Sequence, residues 1–549
     1  MKKLLLTLCI LASLGLLAAC NRGQAEGQNG TSTDEHITYT WWMIAHNNDF
    51  YTDYSYNPVN RYLEHRFNVS FQFEQPVAGT ESDSLALMMG TGSFTDAMHM
   101  AVYTGSVPQL YYDGIIVDIA QWLSYMPNLS AMLEDPNIAR GVFDDQGRIL
   151  TLPTINNDRV YPWSGLMYRH DILEMMTGDN VQFPSGNEAP TTIADWEYML
   201  PLFQAFFEMA GFADSAPLVL PANGILHFGE LMNSFGAYHL FYIREGTVYA
   251  GILEPAMFKY VSTMRDWFER GWIHQDFASR TTDMFFMPNP PLVFGGAAGA
   301  WFGMRMHLGD RMSMPEFGMY FDVRPMQSPI APGITHRDML RRSEGGFGQG
   351  LGNAVYTGNP DIGRFLTAMD ILYSEEGGRL RTLGLRADQI APHDTIMAMV
   401  GMTEGSYWFD DNGNVVLHPY FDEVGGDIAL DTISGIRFPG IQAISYVNQV
   451  RAEEMIIAQD AWSAQDSYTI THPLPDELSL TIDESTILST NNLHITDHVN
   501  QMVTMFIMGT TPLNEATWEE FLSQLRAFGI EENRDIWQAA YDRYMARGQ

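Results

Sequence analysis

HITYTWWMI (residues 36–44) and NRYLEHRFNVSFQFEQP (residues 60–76) decide the class of fold. The first is β-branched and aromatic, the pattern of a buried strand. The second reads as a helix followed by an alternating strand that carries Val69, Phe71 and Phe73. The same alternation continues along the chain, without internal repeats. GIIVDIAQWL (114–123) is a short apolar strand or turn leading into a helix. Thr192 and Asp195 frame the start of ADWEYMLPLFQAFFEMAG (194–211). Its Trp196, Met199, Leu200, Phe203, Phe206 and Phe207 fall on one helical face, and Pro201 is expected to kink or break it. FKYVSTMRDWFERG (258–271) repeats the pattern with Phe258, Val261, Arg265 and Phe268, stopped by Gly271. DIGRFLTAMDILYSEEGG (361–378) predicts a helix ending at Gly377, and Thr517 with Glu520 predicts a capping box before FLSQLRAFG (521–529). Strands alternating with helices define an α/β protein.

The amino terminus has a different character. Lys2 and Lys3 precede an apolar run from Leu4 to Leu17, too short to span a bilayer comfortably, and Leu17-Ala18-Ala19-Cys20 follows. Positive, apolar, small-residue order is an export signal. Its ending on a cysteine resembles a bacterial lipobox, which implies cleavage after residue 19 and a diacylglycerol on Cys20. The alternative is an ordinary secretory signal that happens to contain Cys20. Residues 20–35, rich in Gly, Gln, Asn, Ser and Thr, read as a flexible tether. Cys9 and Cys20 are the only cysteines, so a mature chain starting at a lipidated Cys20 has no free thiol in its folded part. A chain this long buries enough apolar surface without disulfides and is expected to form two or more domains.

Thirty Lys and Arg stand against 66 Asp and Glu, for a formal net charge of −36. Nucleic acid is therefore excluded as an expected partner, because affinity for a polyphosphate comes from clustered cations.

The order of segments resembles the family 1 extracellular solute-binding proteins of bacterial ABC importers, in particular their long lipoprotein branch. LALMMGTGSFTDAMHMAVYTG (85–105) is similar to that family's "lnlmlasGdlPDii" segment, with Thr95 where a proline is usual. YYDGIIVDIAQWLSYMPNLSAMLEDP (111–136) and DDQGRILTLP (144–153) resemble its "y..dGli.dLt..i...mPnl" and "tdedGkiy.lP" stretches. GLMYRHDILEMMTG (165–178), WFERGWIHQDFAS (267–279), AMDILYSEEGG (368–378) and residues 505–544 continue the match nearly end to end. The chain also departs from the pattern. Long-branch relatives often carry an EF-hand-like calcium loop where this chain has AGFADSAPLVLP (210–221), with Asp214 as its only carboxylate. In FDDNGNVVLHPYF (409–421), Asp410, Asn412 and Asn414 have ligand-like spacing, but position twelve is Phe421 rather than glutamate. Residues 386–402 lengthen a region the family keeps short.

The resemblance implies a two-lobe periplasmic-binding-protein fold of type II, maltose-binding-like, with a ligand cleft between the lobes. It places lobe 1 at 36–160 plus 322–385 and lobe 2 at 161–321 plus 386–549. It also implies a carbohydrate ligand, an oligosaccharide, delivered to ABC permease subunits by a monomer anchored to the membrane through Cys20, at the cell surface or in the periplasm. Sugar sites pair flat aromatic side chains with short polar groups. The loops that point into the cleft in this fold nominate Trp42, His46 and Asn47 after the first strand, Tyr103, and Tyr161 with Trp163 in YPWSG. They also nominate Trp301 with Arg305 in GGAAGAWFGMR (295–305), and Trp408 in MTEGSYWFD. Core or lobe packing is the alternative for every one of these aromatics.

Catalytic signatures do not emerge. The sequence has no G-x-S-x-G, no H-E-x-x-H and no lysine beside a glycine-rich loop. GGFGQGLG (345–352) suits a strand running close to its neighbour. His494 and His498, one helical turn apart, lack the further ligands that zinc needs. No cofactor or metal is expected. The alternatives to a sugar-binding lipoprotein are a surface-anchored glycan-acting enzyme and a binding protein for a non-sugar solute such as a peptide.

Overall fold

The computed structural model describes residues 35–44, 53–156, 162, 164–219, 230–280, 291–304, 307–340, 348–392, 394–423, 438–450 and 453–547. Fifteen strands are formed among them. They are β1 (Ile37–Trp42), β2 (Val69–Glu74), β3 (Ala97–His99), β4 (Leu152–Asn156), β5 (Ser164–Arg169), β6 (Ala216–Val219), β7 (Phe241–Arg244) and β8 (Thr247–Ala250). Then come β9 (Ala298–Met304), β10 (Val323–Pro325), β11 (Gly348–Val355), β12 (Tyr407–Phe409), β13 (Val415–Leu417), β14 (Gly440–Gln442) and β15 (Thr471–Pro473). The first sheet has the order β14-β4-β11-β3-β1-β2 and the second β10-β5-β9-β6. The chain passes from the first sheet to the second after β4, returns after β10, and leaves the first sheet for the last time after β14.

The opening strand–helix–strand unit forms as its residues dictate. Pro58–Phe67 is helical, capped by the Asn57 side chain, and β1 and β2 pair in parallel on either side of it. Trp41 and Phe71 meet edge to face at 5.7 Å in the first core. In β11, Gly352 is required by contact: a Cβ there would lie 2.2 Å from the Leu152 carbonyl oxygen of β4.

Two cores pack separately. One surrounds the first sheet, with Tyr39, Trp41, Phe365 and Tyr373 among its members; the other surrounds Trp196, Phe203, Trp267 and the carboxyl-terminal helices. Trp196 and Trp267 stack at 5.9 Å, 12° from parallel. Residues 386–421, expected in the second lobe, contribute Met397, Met402, Tyr407, Val415 and Phe421 to the first core, and β14 pairs with β4. Val323, expected in the first lobe, pairs with Arg169 of the second sheet.

Four local expectations need correction. Ile193–Ala210 is continuous through Pro201. The carbonyl that Pro201 leaves without a donor belongs to Glu197, on the exposed side of the helix. The buried face of Pro255–Glu269 is Met257, Tyr260, Val261, Met264 and Trp267, so of the predicted stripe only Val261 is inside. Gly377 does not stop a helix: Ser374 caps a new one, Glu375–Leu383, that runs through it. A Cβ at Gly377 would lie 2.1 Å from the Ile371 carbonyl oxygen, which is why glycine stands at this turn. At the carboxyl end the capping residue is Asn514, with Thr517 as its reciprocal partner, rather than Thr517 with Glu520.

The capping box at Thr192 and Asp195 forms as expected. The Asp195 carboxylate accepts from the backbone N–H groups of Ser185 (2.8 Å), Thr191 (2.8 Å) and Thr192 (2.9 Å). Burial opposes its charge, but these donors outweigh burial and hold its pKa below the ordinary aspartate value. That contribution is present above the unfolded-state pKa and is lost as pH falls through the folded-state one. Asp195→Ala is expected to lower unfolding free energy by about 2 kcal/mol at pH 7. The gap to the unsubstituted protein should narrow as pH drops below about 4, as read by urea titration at each pH.

Candidate ligand-binding cleft

The carboxyl ends of the parallel strands β1, β3 and β4 and of β6 and β9 are where an open α/β sheet offers a binding crevice. Of the sequence-nominated residues, Trp42, Tyr103, Trp301 and Trp408 are described. His46 and Asn47 after β1, Tyr161 and Trp163 between β4 and β5, Arg305 after β9, and Cys20 lie outside the described residues.

Trp42 ends β1 but is 2% exposed, and its indole N–H donates to Ser84 Oγ at 3.2 Å. Tyr103 follows β3 in a turn closed by its own N–H to the Met100 carbonyl at 2.9 Å. Its ring leans over Gly105, where a Cβ would lie 2.5 Å from the phenol oxygen, and it keeps partial exposure. Burial, with the charge of Asp113 second, raises the Tyr103 pKa, so the phenol stays a neutral donor at physiological pH. Trp42 and Tyr103 share one apolar cluster with Met98, Met100 and Leu150.

Trp301 lies in β9 opposite Met167 and is 2% exposed. Its N–H donates to His307 Nδ1 at 3.3 Å, and its ring edge fills the space that Gly303 leaves by lacking a Cβ. It belongs to an apolar cluster with Met167, Leu308, Met455 and Trp462. Neither Trp42 nor Trp301 therefore presents an open ring face in this conformation. Both are packed among large apolar side chains of their own sheet's cluster. Trp408 is 40% exposed on the β12–β13 hairpin and joins neither cluster. The Asp410 carboxylate of that hairpin accepts from the N–H groups of Asn412 (2.9 Å) and Asn414 (2.7 Å), so it closes a turn. Asp214 is held by His274 (2.5 Å) and Arg280 (3.1 Å). His498 packs against Phe521 and Phe528, and its burial lowers its pKa. Among the described residues no group of three or more His, Cys, Asp or Glu side chains converges as a metal site.

The seam between the lobes was not anticipated from sequence. Asp145, in the turn before β4, accepts from Arg543 Nε (2.9 Å) and from Arg547 Nη2 (2.7 Å), both on the last helix, Ile530–Ala546, and its end. Arg543 also pairs with Glu484 (2.6 Å), and Arg547 donates to the Arg140 carbonyl across the seam at 3.2 Å. The turn containing Asp145 is tied to the first core through Val142 and Ile149, whereas the last helix packs on the second through Ile530. A cavity of about 300 Å³ lies on the same seam, with Ser106 and Thr151 on one wall and Ser479 and Ser485 on the other. The visible trace of this device was the i, i+4 spacing of Arg543 and Arg547, which places both on one helical face.

No family model and no curated protein matches the chain. Solved structures do. The alginate-binding protein AlgQ2, in a structure without calcium ion, superposes with a TM-score of 0.67 at 18% identity, covering 93% of this chain and 98% of that one. An HMO-binding, ABC-transporter-associated solute-binding protein from Bifidobacterium longum infantis gives 0.69 at 16% identity, covering 93% and 99%. The substrate-binding protein FusA of S. pneumoniae, in complex with kestose, gives 0.68 at 16%, with the same coverage. The fold is that of the two-lobe solute-binding proteins.

The Asp145 pairs link residues packed on one core to the helix packed on the other. The Asp145 side chain is 9% exposed and that of Arg547 6%, so removing the carboxylate leaves the buried Arg547 guanidinium poorly compensated, while Arg543 keeps Glu484. Asp145→Ala is expected to destabilise the protein by about 3 kcal/mol. The loss should be nearly independent of salt, because the pair is shielded from solvent. Chemical denaturation at low and high ionic strength checks both.

Proposed function

We propose that the chain is the ligand-capturing lipoprotein of an ABC importer, closing two lobes around an oligosaccharide and releasing it unchanged to permease subunits. The observation that carries this reading is the end-to-end likeness to solved structures whose names describe binding of alginate, HMO and kestose. The export signal and lipobox-like Leu17-Ala18-Ala19-Cys20 support anchorage outside the cytoplasm, and no helix among the described residues is long and apolar enough to cross a membrane. Two acyl chains at Cys20 suffice for stable attachment.

Lobe closure is a hinge transition, and ligand drives it only by binding the closed arrangement better than the open one. Tyr103 is the described residue best placed to touch ligand, being partly exposed on the loop after β3. His46, Asn47, Tyr161, Trp163 and Arg305 complete the proposed contacts, with Trp42 and Trp301 supporting the walls and Trp408 at the periphery. The monomer closes by itself, and the proposed chemistry needs no cofactor and makes or breaks no bond.

Calorimetry of the soluble chain against a panel of neutral and acidic oligosaccharides is expected to find one-to-one binding. Tyr103→Ala should weaken it about tenfold, or about 1.4 kcal/mol, with an unchanged melting transition. Chromatography of ligand after long incubation should return it intact. Binding of peptides but no glycan would refute the sugar assignment, and new reducing ends would establish an enzyme instead.

A further inference from the structure

A groove of about 560 Å³ opens on the second lobe, well away from the seam. Strand β5 enters the sheet at Ser164, directly after a lobe crossing, and reaches the groove only at its far end, Arg169. Ala298 of β9 and Ala216 of β6 begin at that same end. The groove is thus on the outer pole of the lobe and stays open whether or not the cleft holds ligand.

Its walls are unusually apolar for exposed surface. Met175 is 60% exposed, Tyr320 68% and Phe212 37%, and Met209, on the helix that ends beside Phe212, is 72% exposed. The Arg169 guanidinium lies 4.1 Å from the Phe321 ring centroid and is bound by both oxygens of Asp171 (2.8 and 2.5 Å). Gly296 keeps the floor open: a Cβ there would come within 3.3 Å of Met319 Cε. Exposed apolar patches of this kind mark interaction sites, and methionine side chains adapt to varied apolar partners.

The rim supplies the sign of the partner. Arg169 is neutralised by Asp171. Glu174 pairs with His170 (3.2 Å), and burial, followed by the charge of Arg324, keeps that imidazole below its usual pKa, so it offsets little of the Glu174 charge at neutral pH. Asp179 has no ion pair among the described residues and is exposed. Arg324 also acts on Glu174 but is itself paired with Asp322 at 2.7 Å, so Glu174 and Asp179 leave the border of the aromatic and methionine trough net negative.

We propose that this groove docks a basic amphipathic segment of a partner protein, with its apolar face on Met175, Phe212 and Tyr320 and its cations at Glu174 and Asp179. Helix-in-groove recognition needs this combination of an adaptable apolar floor and a charged rim. The proposal is independent of the glycan ligand and holds even if the cleft binds another solute.

The test uses a fluorescein-labelled synthetic helix of leucines and lysines, titrated with the full soluble chain by anisotropy. Binding is expected, and the same peptide with glutamate in place of lysine should not bind. Asp179→Lys alone should weaken the lysine peptide several-fold, and Glu174→Lys with Asp179→Lys at least tenfold. Phe212→Ala with Tyr320→Ala should weaken it comparably, with unchanged melting curves and unchanged glycan titration. Because the whole chain is acidic, Glu515→Lys with Glu520→Lys serves as the remote control and should change binding less than twofold. Absence of peptide binding, an equal effect of the remote pair, or binding of small amines such as tetramethylammonium without the peptide would each overturn the proposal.

Discussion

Two hydrophobic cores that never merge are the constraint on which the rest of the structure depends. One forms around Trp41 and Phe365, the other around Trp196 and Trp267, and the chain passes between them after β4, after β10 and after β14. Merging them would bury more apolar surface. Keeping them apart leaves a seam that polar groups must span. Asp145 between Arg543 and Arg547 does so, and the geometry is restrictive: one carboxylate offers oxygens to two guanidinium groups spaced one helical turn apart.

Much of the fold was legible because local chemistry and tertiary demand agreed. Thr192 and Asp195 cap their helix in sequence and in space, and β1 and β2 pair as their apolar patterns imply. The glycine run before residue 352 suits a strand pressed against its neighbour, and Gly352 stands 2.2 Å from a clash that any side chain would cause. Errors arose where a local rule met tertiary packing. Pro201 broke no helix because its orphaned acceptor faced solvent, and Gly377 was needed for closeness rather than termination. Lobe membership of residues 386–421 was not legible, since a hydrophobic side chain carries no label for which of two cores it joins.

The site was less legible than the fold. An aromatic residue near a strand end satisfies both a stacking role and a packing role, and periodicity cannot separate them. Trp301 illustrates the problem: it is nominated for stacking, yet it is 2% exposed within an apolar cluster that includes Met167, Leu308 and Trp462, and its N–H is satisfied by His307. A residue can still shape a binding wall from within, by fixing the strand that carries neighbouring contacts. Tyr103 differs because the turn after β3 lifts it off the sheet while Gly105 makes room for its ring.

The seam and the cleft are linked through one equilibrium. If the arrangement seen here differs in free energy from the ligand-closed one, the apparent affinity for ligand scales with the fraction of molecules already closed. A contact such as Asp145 with Arg547 exists in this arrangement and contributes to that fraction without touching ligand. Under the proposed function, selectivity among sugars resides in the cleft wall and absolute affinity partly in the seam. The two can change separately: under that proposal a substitution in the wall alters which ligand is preferred, whereas one in the seam moves all affinities together by a common factor. The outer groove stands apart from both. It lies at the far ends of β5, β6 and β9, where lobe rotation carries it as a rigid body, so its surface is the same in the open and closed states. A partner that contacts the groove alone has equal affinity for both states and reports the position of the molecule rather than its occupancy. Sensing occupancy would need contact with the other lobe as well, because only the relation between the lobes changes on closure.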